Sequence, residues 1–370
     1  MRYPDFSNEQ PSARRPHPVA PSLATVHAIL VYHLWQPTLP GSDAGLSNII
    51  LDTTKVLRRE GVHCEAWSVK NAEHLMSRLE SQDWTNPRPI THVIINPPLG
   101  YHHPKMFAQL SQCWPDVEFV LLNHSGMSYV SINPGAFTVI RDLLDLEMAT
   151  HNVLVAGNNS RYTSWIASAF GHDALLLPNL YDTDSYVNPV PKRSDYDPVR
   201  IGSFGEARPW KNQLIAAEAA LAMGKQLGVR LELYVLQERW PDTPSGQQAD
   251  ARSQLFANLP GARLITLPWE AWPKFRRTIA AMDVMFSPSF DETFCCVCAD
   301  GIAEGVPSVV SGAMEWCPAN WMADPWQWSD IVSRGVALLH DKVAAVHAGR
   351  QALDAYVKNG IRCWTEYLIR

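Results

Sequence analysis

The chain has 370 residues, of which 46% are hydrophobic and 18% are charged, and its formal net charge is −6 at pH 7. This length favours two domains over one, and the composition is that of a soluble globular protein. The acidic balance argues against wrapping nucleic acid over the whole surface, and no apolar run is long enough to span a bilayer. Seven cysteines, an odd number, favour a reducing compartment over a disulfide framework, so we expect a cytoplasmic protein.

The first 24 residues are polar and rich in proline, without the apolar core of a signal peptide. We predict a disordered or loosely held arm over 1–24. Short runs of Val, Ile and Leu then alternate with helical patterns, as is typical of strands buried on both faces. The predicted strands are Val26–Tyr32, Val62–Ser68, His92–Asn96, Glu118–Asn123, Asn152–Ala156, Ala174–Pro178, Arg200–Phe204, Leu231–Leu236, Ala262–Leu267, Asp283–Ser287 and Pro307–Val310.

Alternating strands and helices in both halves predict an α/β protein with two doubly wound parallel sheets, each covered by helices. The proline-rich, charged stretch 186–198 suits an exposed linker. We therefore predict a Rossmann-like domain over 25–185, a second over 199–345, and C-terminal helices over 346–370 that can pack back on the first domain. Because such sheets bind ligands at the carboxyl ends of their strands, we expect the site in a cleft between them.

Two polar segments follow predicted strands in the first half. The loop LPGSDAG, ending at Gly45, has small residues that let a ligand approach the backbone before a helix. It is not the GxGxxG dinucleotide fingerprint, and an ordinary turn is the alternative. His124 follows the strand Glu118–Asn123, where a polar residue suits a ligand. A structural role for His124 stays equally open.

A basic segment, GSFGEARPWKN over 202–212, follows the first strand of the second half. Arg208 and Lys211 lie just before a helix predicted from about Gln213. Arginine offers a planar fork for phosphate oxygens, lysine a point charge, and the helix start adds partial positive charge. These features favour a diphosphate leaving group, with a solvated basic turn as the alternative.

The most informative segment is 283–311, in which a strand leads through an acidic loop into a short helix that stops at Gly305. Glu292 on the loop and Asp300 on the helix can hold two parts of one polar ligand. Backbone amides at the start of this helix suit phosphate; they belong to Phe294, Cys295 and Cys296. The cysteines lack the paired CxxC spacing of structural zinc, so we interpret them as small packed residues.

The segment WCPANWMADPWQW, over 316–328, is rich in tryptophan. It suits either a stacking platform for sugars or bases, or a loop that is held closed by its own tryptophans. We favour the second interpretation.

In order and spacing these residues resemble retaining GT-B glycosyltransferases of family 4, the group 1 glycosyl transferases. Ala44-Gly45-Leu46 is similar to the family's first glycine-rich loop, and His124 to its histidine after a central strand. The stretches 177–182, 208–212 and 303–307 are similar to the family's pre-linker, diphosphate and A-x-G-x-P motifs. Glu292 and Asp300 match its pair of glutamates with seven residues between them. The second member is shorter here, and Cys295 replaces a usual glycine.

The resemblance implies sugar transfer from a UDP- or GDP-sugar with retention at the anomeric carbon, without a metal or other cofactor. The implied catalytic residues are Glu292, Lys211, Arg208 and His124. The implied donor-binding residues are Gly45, Phe294, Cys295, Cys296, Asp300 and Trp269. The acceptor stays open between a glycan, a lipid-linked glycan, a small molecule and a hydroxymethylated base in DNA. An epimerase of the same fold and an inactive binding scaffold also stay open.

Overall fold

The computed structural model of the chain describes residues 22–33, 44–85, 88–96, 104–133, 135–187, 195–239 and 241–370. The arm predicted over 1–24 lies outside these residues except for its last three, and so do 188–194 of the predicted linker and most of the loop before Gly45.

The described residues form eleven strands and twelve α-helices. The strands are β1 (His27–His33), β2 (His63–Val69), β3 (His92–Ile95), β4 (Glu118–Asn123), β5 (Val153–Gly157), β6 (Leu175–Leu176), β7 (Val199–Gly202), β8 (Leu231–Leu236), β9 (Ala262–Leu267), β10 (Val284–Ser287) and β11 (Ser308–Val310). The helices are α1 (Ala44–Arg59), α2 (Ala72–Glu80), α3 (Pro104–Cys113), α4 (Met127–Ile132), α5 (Ala136–Ala149), α6 (Ser160–Phe170), α7 (Gln213–Leu227), α8 (Pro244–Phe256), α9 (Trp272–Ala280), α10 (Cys296–Ala303), α11 (Trp328–His340) and α12 (Lys342–Leu368). Short 3-10 helices lie at Leu23–Thr25, Thr183–Ser185, Pro209–Lys211 and Ala319–Trp321.

The strands form two parallel sheets, which confirms the predicted fold class. The first has six strands in the order β2-β1-β3-β4-β5-β6, and the second has five in the order β11-β10-β7-β8-β9. Each order reverses once, between β1 and β3 in the first sheet and between β7 and β10 in the second. Crevices open at such reversals at the carboxyl ends of the strands, which fixes where a ligand site is expected.

The last helix joins the two halves. The sequence predicts helices over this last stretch of the chain, and the structure has one helix there, α12, from Lys342 to Leu368. Near its end the buried indole of Trp364 donates a hydrogen bond to the Pro178 carbonyl at 2.7 Å. Gly360 lies so close to Leu180 that an added Cβ would meet that side chain at 2.6 Å. The C-terminus of the chain therefore packs against the segment that follows the first sheet.

Buried apolar residues cover both faces of each sheet. One cluster continues from the first sheet through α12 into the second, and two others fill the remaining face of each sheet. In the part of the chain that the structure describes, no helix is both long and apolar enough to cross a membrane.

Candidate active site

A cavity of about 280 Å³ lies between the two sheets, at the carboxyl ends of the second sheet's strands. Its second-domain wall comes from the segments that follow β7, β8, β9 and β10, and β7 and β10 are the strands at the reversal of strand order. Its first-domain wall comes from α1 and from Tyr181. The complete lining is Gly45, Asn48, Ile49, Asp52, Tyr181, Gly205, Glu206, Arg208, Lys211, Leu236, Arg239, Trp269, Glu270, Trp272, Phe275, Cys296, Val297 and Asp300.

Lys211 and Glu292 form an ion pair beside this cavity. Lys211 ends the 3-10 helix after β7, and Glu292 lies on the loop after β10, so the parallel pairing of these strands brings the two groups together. Their side chains are 24% and 9% exposed. Burial acts to lower the pKa of Lys211, but its interactions with Glu292 and with Cys295 together outweigh burial, so the pKa is raised. Lys211 therefore stays protonated at neutral pH and gives the site a fixed positive charge.

Two arginines add positive charge to the same cavity. The guanidinium of Arg208 pairs with Glu206, with Nη2 2.6 Å from Oε2. The guanidinium of Arg239 lies 3.5 Å from the ring centre of Trp269, whose indole N–H donates to the Gln237 carbonyl at 2.7 Å. Because stacking and hydrogen bonding fix the Trp269 ring at the rim, it offers a rigid edge to a ligand.

Asp300 is a buried acid of the cavity lining, with 3% of its surface exposed. Its carboxylate accepts hydrogen bonds from the Tyr181 hydroxyl at 2.8 Å and from the Trp272 indole N–H at 3.1 Å. Burial raises the pKa of Asp300 to about 7, although these two donors and Arg276 work in the opposite direction. A group poised near neutral pH in a cleft is a common mark of a functional site.

The start of α10 faces the cavity through Cys296 and Val297. The preceding residue, Cys295, has a left-handed backbone with φ 61°, a conformation that favours glycine. Cys295, which stands where the resembled family usually has a glycine, therefore has a strained backbone conformation. The Cys296 thiol lies 3.7 Å from the Gly45 carbonyl oxygen, across the two domains. The first backbone N–H groups of a helix lack intrahelical partners, so this turn can accept an anion.

Phe294 packs away from the cavity. Its side chain is 1% exposed and stacks on Trp316 and Tyr356, with ring centres 5.4 Å apart in both pairs. Its carbonyl accepts a 2.7 Å hydrogen bond from the Trp316 indole. Only the backbone of Phe294 is therefore suited to a ligand.

His124 lies at the carboxyl end of β4 and is held by two asparagines. Its Nε2–H donates to Asn96 Oδ1 at 2.8 Å, and its Nδ1 accepts from the Asn158 amide at 3.3 Å. Burial lowers the pKa of His124 to about 3, so the ring is neutral. The His124 side chain is not part of the cavity lining in the described residues, although its carbonyl accepts a bond from Thr293 across the cleft at 3.4 Å.

The tryptophan-rich segment has two faces. Trp321 is fully buried and Trp316 packs on Phe294 and Tyr356, which fits a loop held closed by its own rings. Trp326 and Trp328 are 70% and 51% exposed. None of these rings lines the cavity formed by the described residues.

The two domains also touch where Asp291 approaches α4. One oxygen of the Asp291 carboxylate accepts the Ser128 backbone N–H at 2.7 Å, at the positive end of the helix. A Cβ added to Gly126 would meet the same carboxylate oxygen at 2.3 Å. The absence of a side chain at Gly126 therefore makes room for this interdomain cap.

We expect Asp291→Ala and Gly126→Ala each to lower the free energy of unfolding by about 1 kcal/mol, because each removes the cap on α4. Urea unfolding of both variants and of the double variant checks this. In the double variant Asp291 is already truncated, so the methyl group that Gly126→Ala adds has no carboxylate to displace. The free energy of unfolding should therefore fall no further than in the less stable single variant. If the two single losses add in the double variant, loss of the Asp291 cap is not their common cause.

Six of the ten residues predicted for the site line this one cavity. They are Gly45, Arg208, Lys211, Cys296, Asp300 and Trp269. Glu292 joins them through its ion pair with Lys211, whereas His124, Phe294 and Cys295 lie beyond the lining. The other twelve lining residues were not predicted from the sequence, among them Asp52, Tyr181, Trp272 and Arg239. Of these, Tyr181 had a signal, since it lies within the 177–182 stretch that resembles the family.

Comparison with known proteins gives the fold a name. No family model matches the sequence, and no curated protein does. Among solved structures, the sucrose-phosphate synthase of Thermosynechococcus elongatus is 14% identical, with a TM-score of 0.66 over 92% of this chain and 98% of its own. A glycosyltransferase from Rickettsia africae ESF-5 is 12% identical, with a TM-score of 0.60 over 93% and 97%. The E. coli trehalose-6-phosphate protein bound with UDP-2-fluoro glucose is 9% identical, with a TM-score of 0.61 over 93% and 99%. The chain therefore has the two-domain GT-B fold of these glycosyltransferases.

Proposed function

We propose that the protein is a retaining glycosyltransferase that moves a sugar from a nucleotide-sugar to a hydroxyl acceptor. The observation that carries this proposal is a single interdomain cavity that joins the Lys211–Glu292 pair to the buried carboxylate of Asp300. One polar ligand can meet both ends of it, with its diphosphate at the cations and its ribose at the acid. The GT-B fold supports the same assignment, and the E. coli neighbour binds UDP-2-fluoro glucose.

The donor is proposed to lie along the second-domain wall. Arg208, Lys211 and the first turn of α10 hold the diphosphate, because all three offer donors or positive charge on one side of the cavity. The two ribose hydroxyls donate to Asp300, whose carboxylate oxygens keep lone pairs beyond those used by Tyr181 and Trp272. Trp269 borders the nucleotide. Glu292 orients the hydroxyls of the transferred sugar.

The reaction breaks the bond between the anomeric carbon and the diphosphate and forms one bond from that carbon to the acceptor oxygen on the same face. The acceptor proton passes to an oxygen of the departing nucleoside diphosphate. Lys211 and Arg208 stabilise the charge that develops on this leaving group, an electrostatic role that preorganised groups fill well. With these cations in place, the proposal requires no metal ion at the donor site.

The acceptor is proposed to be a glycan, a lipid-linked glycan or a small molecule. A hydroxymethylated base in DNA is the alternative, and it requires a basic stripe along the cleft. Among the basic residues that could form such a stripe, Arg59 pairs with Asp182 and Arg161 with Glu315. Two others, Lys192 and Arg193, lie outside the described residues. A gel shift with plain and hydroxymethylated DNA duplexes separates these acceptors. Only the DNA alternative predicts that the protein binds the duplex and slows its migration.

A thermal-shift panel of UDP- and GDP-sugars tests the donor assignment. Binding to the native state raises the melting temperature by mass action, and the stabilisation reaches about 2.7 kcal/mol at a ligand concentration of 100 Kd. We expect one nucleotide family to raise the melting temperature and Asp300→Asn to reduce that shift. No shift with any nucleotide or nucleotide-sugar would favour an inactive scaffold. A shift accompanied by epimerised rather than transferred sugar would favour an epimerase.

A further inference from the structure

A second cluster of ligand-type side chains lies far from the donor cavity. His27 and His63 are the first residues of the paired strands β1 and β2, and Glu65 follows on β2. One ligand atom from each of the three lies within 4.8 Å of the other two. This is the amino edge of the first sheet, and the seven residues of β1 separate it from the cleft edge by ~20 Å.

The hydrogen bonds of His27 define which nitrogen is available. Its Nδ1 lies 3.2 Å from the Arg88 carbonyl oxygen, and since a carbonyl only accepts, Nδ1 must carry the proton. In the neutral ring Nε2 then carries a lone pair, and it faces Glu65 Oε1 at 3.3 Å. Two electron pairs that face each other at this distance call for a cation between them, either a proton or a metal ion.

The hydrogen bonds that His27 and Glu65 make outside the cluster favour a metal ion. A backbone carbonyl that accepts from Nδ1–H is the usual support for a histidine that binds a metal through Nε2. Glu65 has the same kind of support, because its Oε2 accepts from the Trp67 indole at 3.0 Å while Oε1 faces the cluster. Two ligands at 2.0–2.1 Å from a tetrahedral zinc lie about 3.3 Å apart, which matches the separation of His27 Nε2 and Glu65 Oε1.

His63 is the third candidate ligand, and it lies at an exposed position. The His63 ring lies 4.3 Å from the His27 ring, centre to centre. Because His63 is exposed, it can turn toward the shared point without disturbing the core. Two imidazoles and one carboxylate select zinc and neighbouring first-row transition ions over magnesium or calcium.

We propose that His27, His63 and Glu65 form a divalent transition-metal site that clamps the amino ends of β1 and β2, with water in the remaining position. No sequence motif predicts this site, because 35 residues separate the two histidines. Only the parallel register of β1 and β2 brings them together. The site is independent of the proposed donor chemistry, so either assignment can fail without the other.

Zinc titration of the metal-free full chain tests the proposal. We expect one equivalent to bind to the wild type and to raise its melting temperature, and His63→Ala to weaken that binding at least tenfold. Glu65→Gln, which keeps the shape of the side chain, should do the same. His347→Ala, at an exposed histidine on α12, is the matched control and should leave binding unchanged.

Cobalt in place of zinc separates this cluster from the cysteines. Nitrogen and oxygen ligands give only the weak visible bands of cobalt, whereas thiolates add intense charge transfer in the near ultraviolet. We expect the first spectrum, and its loss in His63→Ala. Equal zinc affinity in the wild type and in both cluster variants, or a thiolate spectrum at one equivalent, would overturn the proposal in favour of a proton shared by His27 and Glu65.

Discussion

Lys211→Ala should lower kcat for sugar transfer by about 10²–10³-fold, the usual cost of removing one preorganised group that stabilises developing charge. The Lys211 ammonium is the cation closest to Glu292 and is held beside the cavity. Glu292→Ala should abolish transfer for the complementary reason, because it frees the lysine from its position and removes the acceptor for the sugar hydroxyls. Initial rates with a fixed donor and acceptor measure both effects.

Loss of activity must be separated from loss of fold, because removing one partner of a buried ion pair strands the other charge at a cost of roughly 3–5 kcal/mol. The double variant Lys211→Met/Glu292→Gln leaves no stranded charge, so it should unfold close to the wild type and yet stay inactive. Lys225→Ala, at an exposed lysine in the last turn of α7, is the matched control and should keep full activity. Full activity in Lys211→Ala and Glu292→Ala would refute the assignment.

Asp300→Asn should stabilise the ligand-free protein at pH 8 while weakening nucleotide binding. The folded protein holds the Asp300 proton up to about pH 7, whereas the unfolded chain releases it near pH 3.9. Between these values the native state binds more protons, so the free energy of unfolding falls as pH rises, by up to about 4 kcal/mol, and levels off above pH 7. The side-chain amide introduced by Asp300→Asn does not titrate, so the free energy of unfolding of this variant does not fall in this way as pH rises.

Urea unfolding at pH 5 and pH 8 measures the difference. The wild type should lose more stability than Asp300→Asn between the two pH values, and Asp250→Asn, at an exposed position on α8, should follow the wild type. Nucleotide affinity should change in the opposite sense, because only the ionised carboxylate accepts from both ribose hydroxyls. Affinity should therefore rise as pH increases through 7 in the wild type and stay flat in Asp300→Asn. Parallel pH profiles for the two proteins would refute this role.

The fold was largely predictable because most of its strands, such as β3, β5 and β10, consist of buried residues. All eleven predicted strands are present, with ends that move by a few residues; β6, for example, spans only Leu175–Leu176. Gly305 ends α10 as predicted, since its φ of 75° suits glycine. The C-terminal helix was harder, because nothing in its periodicity distinguishes one helix from two. Its start at Lys342 depends on a cap from Asp341 to the Ala344 N–H at 3.3 Å.

The donor side of the site was more predictable than its surroundings. Residues just after β7 and β10 converge because parallel strands end at one edge. Tyr181, Trp272 and Asp52 come close to Asp300 from three other parts of the chain. A local sequence pattern cannot predict contacts between such distant segments. His124 shows the limit of position alone. It follows a strand as predicted, yet its ring nitrogens are bonded to Asn96 and Asn158.

The most direct test of donor chemistry is to follow each sugar of the UDP and GDP series by proton NMR, with a high concentration of the protein and water as the only acceptor. We expect one of them to release its nucleoside diphosphate together with a free sugar that appears first in the anomeric configuration of the donor, before mutarotation. Lys211→Ala should release neither product at a comparable rate. First appearance of the opposite anomer would contradict retention, and intact nucleotide-sugar across the whole series would contradict the proposed transfer itself.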